Sequence, residues 1–154
     1  MERTLVLCKP DAVHRGLVGQ IIARFEAKGL KLVGLRLRQL PKELLEKHYS
    51  DHADKPFFPA LVGFMGSGPV VCMAIEGKNA IETVRGMMGA TNAAKAAPGT
   101  IRGDFGLSFS NNLVHGSDSP ESAAKELGLF FPEAGDVCEW TPNNDAWVYS
   151  DEER

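Results

Sequence analysis

Apolar and polar positions along this chain recur with periods that divide it into elements. Residues 3–8, RTLVLC, form an apolar run closed by Lys9-Pro10. A residue before proline is pushed towards extended geometry, so a strand ending at Lys9 is expected. In GLVGQIIARFEAKG, Val18, Ile21, Ile22 and Phe25 share one helical face, and Gly29 follows as a stop. Residues 30–40, LKLVGLRLRQL, end in a period of two. Leu35 and Leu37 read as inward and Arg36 and Arg38 as outward, a strand with one wet face. PKELLEKHY predicts a short helix with Pro41 in its first turn, and PFFPALVGFMGSG a second that stops at its glycines. PVVCMAIEG is a buried strand, and NAIETVRGMMG a helix with Asn79 as its N-cap.

From Ala90 to Gly106 the periodicity breaks. ATNAAKAAPGTIRGDFG reads as a long surface loop, and loops of that length inside a domain are commonly functional. A short strand is expected at Leu113–His115. SDSPESAAKELGLFF then predicts a helix with Asp118 or Ser119 as N-cap, Pro120 at its first position and Glu121 in its first turn. The tail NNDAWVYSDEER carries Trp147 and Tyr149, aromatics that read as pinning it to something. No repeat, heptad run or linker divides the chain. Residues 1–154 therefore read as one domain with a C-terminal extension from about residue 136. This order of elements suits a four-stranded antiparallel sheet with helices on one face. That is the ferredoxin-like β-α-β-β-α-β plan, of α+β class, with additional short helices. Pattern alone leaves other α+β layouts open.

Composition narrows the setting. With 154 residues, 44% of them apolar, the chain has enough material for a full core. A net charge of -3 gives no electrostatic reason to expect general nucleic-acid binding. MERTLVLCKPDAV has charges at positions 2, 3 and 9 and lacks a signal peptide's apolar stretch. FFPALVGFMG is too short to span a bilayer. Cys8, Cys72 and Cys138 have no CxxC spacing. They read as free thiols in a reducing cytoplasm, those on strands buried rather than holding zinc.

Three groups of residues carry candidate chemistry. A lone histidine is first of all a structural one, but His115 is followed by Gly116, which leaves its backbone open to a ligand. A helix carrying Glu126 begins just beyond. A carboxylate returning to one ring nitrogen would leave the other as a neutral nucleophile. Ser117 and Asp118 read either as ordinary helix-start residues or as a hydroxyl and a carboxylate beside a leaving oxygen and a metal. Lys9, Arg85 and Arg102 each read alone as solvated charges; beside Thr91 and Gly103 they resemble a phosphate cradle built from separate elements. No P-loop or G-x-G-x-x-G fingerprint is present. In HYSDHADKPFF, Tyr49, Phe57 and Phe58 are core candidates, unless one is exposed as a face on which a base stacks.

The pieces ERTLVLCKPDAVHRGLVG, HYSDHADKPFF, SGPVV, VRGMMGATN, APGTIRGDF, NNLVHGSDSPESAAKE and AWVY together resemble the nucleoside diphosphate kinase family along nearly the whole chain. NxxHGSDS with KPDAVxRG and GTIRGD is the specific combination. The resemblance implies a ferredoxin-like core and transfer of a γ-phosphoryl group from a nucleoside triphosphate to a diphosphate, in ping-pong fashion through a phosphohistidine. It implies His115 as nucleophile, Glu126 as its orienter and Ser117 between them. Lys9, Tyr49, Arg85, Thr91, Arg102 and Asn112 match positions that hold phosphates and ribose. Phe57 matches the base platform, with Leu61 nearby. Asp118 matches the acid near Mg²⁺, which the nucleotide phosphates mainly hold. Ribo- and deoxynucleotides are the implied partners, and a homo-oligomer is implied, hexamer favoured over tetramer by the tail. The chain departs from the common pattern at Ala93, where many relatives have proline, at Phe109, and at Ser110-Asn111.

Overall fold

The computed structural model describes residues Met1–Arg154. Its four strands are β1 (Glu2–Cys8), β2 (Lys31–Arg38), β3 (Val70–Gly77) and β4 (Val114–Gly116). They form one sheet in the order β2-β3-β1-β4, and every neighbouring pair is antiparallel. This is the expected α+β, ferredoxin-like arrangement.

Helices cover both faces of the sheet, not one. On the first face, α2 (Val18–Lys28) and α5 (Ala80–Met88) bury Ile21, Phe25, Val84 and Met88 against Val6, Cys8, Met73 and Ile75. On the other, α3 (Lys42–His48), α4 (Phe58–Met65) and α7 (Pro120–Phe130) bury Leu45, Val62, Met65 and Phe130 against Leu5, Leu7, Cys72 and Ala74. The central strands β1 and β3 are apolar on both sides, which is the pattern of a sheet covered twice. Cys8 and Cys72 are buried free thiols in different clusters, while Cys138 is exposed. Burial pushes the two buried thiols up to about 12 and about 11.

β2 corrects the reading of its leucines. A bulge between Leu32 and Gly34 shifts its register. Leu35 and Leu37 then stand opposite Met73 and Val71, on the α2–α5 face, as the alternation required. The helices do not reach that end of the edge strand, so Leu35 and Leu37 are 53% and 68% exposed. Arg36 and Arg38 are the half-buried pair. Gly34 is needed at the bulge: a Cβ there would lie 2.8 Å from the Phe131 ring.

Three further expectations change, and one element is added. Asn79 sits before α5 with φ 51° and makes no side-chain cap. Glu2 caps that helix instead, its Oε1 accepting from Ile81 N–H at 2.8 Å. The stretch 90–106 is not a bare loop. It holds a 3-10 turn at Ala93–Lys95 and α6 (Ile101–Phe105), whose Ile101 is fully buried. α1 (Pro10–His14) is a short helix that the sequence pattern did not give. In the tail, α8 (Asp145–Val148) leaves Trp147 91% exposed. Tyr149 and Trp140 do the pinning: the Tyr149 hydroxyl accepts from Lys78 N–H, and the Trp140 indole donates to the Leu32 carbonyl.

Candidate active site

β4 pairs with β1 so that His115 stands opposite Leu7. Leu7 belongs to the α3–α4–α7 face, so the imidazole points to that face as well. The chain then reverses into α7, where the Ser119 hydroxyl accepts from Ser122 N–H at 3.1 Å and Pro120 opens the helix. Ala123, Glu126 and Phe130 form the buried side of α7 at helical spacing. Packing α7 on β1, the strand beside β4, therefore brings the Glu126 carboxylate onto His115, with Oε1 in short hydrogen-bond contact with Nε2. An ionised carboxylate only accepts, so Nε2 carries the ring proton. Nδ1 keeps its lone pair.

His115 lines a cavity of about 290 Å³. Lys9, Arg85 and Arg102 enter it from three elements, with Tyr49, Thr91 and Asn112 between them. Asp118 stands on its wall, as does Glu126. The cradle expected from Lys9, Arg85, Arg102 and Thr91 is thus assembled in one place. Three expected residues are not part of that wall. The Ser117 side chain is fully buried, and its hydroxyl oxygen accepts from Leu5 N–H at 3.3 Å, with no hydrogen bond to His115 or Glu126. Phe57 is half exposed, its ring centroid 5.4 Å from that of His52, which does line the cavity. Leu61 is half-buried and packs against the α3–α4–α7 core.

One amide wires the cationic side. Asn112 Oδ1 accepts from Lys9 Nζ at 2.8 Å, and its Nδ2 donates to the carbonyls of Thr91 and Phe109. Its own carbonyl accepts from Arg102 Nε. Arg102 also donates to Gly89 and Val114 carbonyls, so a buried guanidinium ties α5, α6 and β4 together. Between Asn112 and Val114 the chain makes a γ-turn, with Val114 N–H donating to the Asn112 carbonyl and Leu113 at φ 75°. That conformation is rare and strained. It is held by full burial of Leu113, by its N–H on Asp11 Oδ2 and by its carbonyl on Lys9 N–H.

The charges are tuned accordingly. Burial, then Arg102, lowers the Lys9 ammonium to about 8. Burial, then Arg85, lowers Arg102 to about 10. A hydrogen bond from Ser122, helped by Arg85, holds Asp118 below its ordinary value. Such a crowd of cations is poised for an anion.

These features coincide with what the chain is similar to. The nucleoside diphosphate kinase family model matches residues 2–135. The chain belongs to the nucleoside diphosphate kinase family. A nucleoside diphosphate kinase of Archaeoglobus fulgidus is 54% identical over 98% of this chain and 99% of its own length. One from Carboxydothermus hydrogenoformans is 56% identical over 97% and 99%. The solved structure of a halophilic nucleoside diphosphate kinase from Halobacterium salinarum, in complex with CDP, superposes with a TM-score of 0.94 at 49% identity, covering 97% of this chain and 99% of that one. The chain is accordingly an enzyme, a nucleoside diphosphate kinase. It moves a phosphoryl group from a nucleoside triphosphate to a nucleoside diphosphate.

Sequence reasoning missed several lining residues of this kinase, His48, Asp51, His52 and Lys125 among them. His48 had a signal. It follows Leu44 and Leu45 at four and three residues, which puts it on the buried face of α3. Asp11 had none, because its contact with Leu113 crosses the fold.

Proposed function

We propose that His115 is the covalent relay of the kinase, with Nδ1 as the attacking atom. The observation that carries this reading is the Glu126 contact at Nε2, which leaves one unprotonated nitrogen facing a cation-lined cavity. The Nδ1 lone pair forms a bond to the γ-phosphorus, and the bond to the β–γ bridging oxygen breaks. The nucleoside diphosphate leaves with that electron pair. A second diphosphate then attacks the phosphohistidine through a terminal β-oxygen, and the pair returns to Nδ1. Glu126 accepts the Nε2–H hydrogen bond throughout, which keeps that proton on the ring and favours the positive ring of the intermediate. Lys9, Arg85 and Arg102 balance the charge that spreads over the transferring group.

In this reading Tyr49, Thr91 and Asn112 hold ribose and phosphates, Phe57 and Leu61 meet the base at the rim, and Ser117 fixes β4 to β1 beside the relay. Asp118 is exposed and ionised at the cavity wall, which suits a hard cation arriving with the nucleotide. Mg²⁺ bound mainly by phosphate oxygens would neutralise charge there. Stacking without base readout supports acceptance of any base, and both ribo- and deoxynucleotides are the proposed partners. The rest of the proposal concerns the whole chain: one domain with an extension from about residue 136, working in a reducing cytoplasm as a homo-oligomer. Exposed Leu35 and Leu37 on an edge strand favour self-association, and the tail favours a hexamer over a tetramer. No helix is long and apolar enough to cross a membrane.

The test is incubation with γ-labelled ATP and then dGDP. Label should enter the protein as an acid-labile, alkali-stable adduct and leave on the diphosphate. His115→Ala should abolish adduct and exchange while keeping the fold. Exchange by the folded His115→Ala protein would falsify the relay.

A further inference from the structure

We propose that His48, His115 and Glu126 form a binding site for a borderline divalent cation of the Zn²⁺ type, and that its occupancy stops phosphoryl transfer. One ligand atom from each residue lies within 4.8 Å of the other two. His48 Nδ1 is 3.9 Å from Glu126 Oε1, and His115 Nε2 is in contact with the same oxygen. Ligands around tetrahedral zinc stand about 3.3 Å apart, so side-chain shifts of about 1 Å would close the site.

The second observation is His48 itself. Its side chain is 2% exposed, yet neither ring nitrogen has a hydrogen-bond partner. A buried polar atom left unpaired is costly, and Nδ1, 3.9 Å from Glu126 Oε1 at the cavity wall, calls for a ligand. The ring is held edge-on to Tyr49, His115 and Phe130, with centroids 4.4, 4.8 and 5.1 Å away. Burial, with help from His115, Lys125 and Lys9, favours the neutral ring.

Two imidazoles and one carboxylate are a donor set for zinc-like ions. Mg²⁺ prefers oxygen ligands and near-octahedral geometry, so this site is not the one proposed for Mg²⁺. Lys9 and Lys125 oppose any added positive charge here. The cation offsets that by bonding three donors at once, one of them anionic. Its fourth position opens to the cavity, where water or a phosphate oxygen completes the shell. On binding, the Nε2–H bond of His115 breaks, its proton goes to solvent and an Nε2–metal bond forms. Glu126 is then occupied by the metal and no longer supports the positive ring of a phosphohistidine. Only this inhibitory consequence rests on the His115 relay.

The experiment has two readouts. Co²⁺ is titrated into the nucleotide-free full chain and followed by the visible absorption of low-coordinate cobalt. One equivalent should bind and be displaced by Zn²⁺. The band should persist in Cys138→Ser, which removes the exposed thiol. His48→Gln and His48→Phe, the latter keeping a ring against Tyr49 and Phe130, should each weaken binding by about tenfold or more. Separately, Zn²⁺ is added to phosphoenzyme formation at fixed Mg²⁺ and ATP, each protein being compared with its own zinc-free rate. Half-inhibition should need about tenfold more Zn²⁺ in either folded His48 variant. No cobalt band in the wild type, or equal zinc sensitivity with and without His48, overturns the site. Cobalt binding that persists while His115 proves not to be phosphorylated would overturn the relay and leave the site standing.

Discussion

Glu126 is the residue whose role depends most on geometry, because it meets His115 only through the turn between β4 and α7. Glu126→Gln keeps shape and an acceptor but removes the charge. Phosphorylation of the protein should slow by about 10–100-fold, less than on loss of His115, with nucleotide affinity nearly unchanged. Single-turnover labelling checks this, and an equal loss in affinity would mean the carboxylate shapes the pocket instead. Lys9 gives a pH signature. Its folded value of about 8 lies below the ordinary 10.5, so the nucleotide-free protein carries the neutral amine above about 8. Between those two values the unfolded chain holds the extra proton, and this group makes stability rise with pH across that window. A bound polyphosphate favours the ammonium. ADP affinity should therefore fall above pH about 8, with proton uptake on binding, as calorimetry in buffers of different ionisation heat would show. At this scale His115, Lys9, Arg85 and Arg102 were legible in the sequence, since their chemistry travels with short motifs. Asn112's wiring and the orphaned His48 were not, because both are defined by neighbours far away in the chain.

Among the elements, α6 is the least forgiving. It is five residues long and is started by Thr100, whose hydroxyl accepts from Gly103 N–H at 3.0 Å. A Cβ on Gly103 would lie 1.9 Å from the Ala97 carbonyl oxygen, and that contact is with backbone. Gly103→Ala should therefore displace the helix, cost about 1–3 kcal/mol of stability and loosen Arg102 from its three carbonyls. Denaturant unfolding and ADP affinity should both register the change; a variant as stable as the parent would mean the segment yields freely. This stretch reads as a loop in the sequence because an element of one turn has too few positions to display a period. β2 was misjudged for a different reason. Its alternation was sound, but alternation reports which side a residue takes and not whether anything covers that side. The capping of α5 by Glu2 escaped notice because Glu2 is nearly eighty residues away.

At the scale of the whole molecule, the uncovered leucines of β2 set the next test. Leu37→Asp should leave the core untouched and reduce the assembled mass in solution, since it places a charge on an apolar edge. Light scattering that gives the same mass for variant and parent would remove β2 from the interface. The long elements were within reach of periodicity, whereas the sheet order came with the family resemblance; the second helical layer had a signal, the apolar runs of β1 and β3 on both sides, that the one-faced reading did not use. One arrangement has an outcome for how such a chain diversifies. The histidine and its carboxylate lie on a single strand–turn–helix unit, whereas Lys9, Tyr49, Arg85, Thr91 and Arg102 are spread over most of the chain. On the proposed relay, turnover is inherited through one short segment and ligand capture through many. A duplicate that lost only His115 and Glu126 would, on the proposed relay, stop turning over while keeping the residues that hold its nucleotide, and would become a gauge of nucleotide supply.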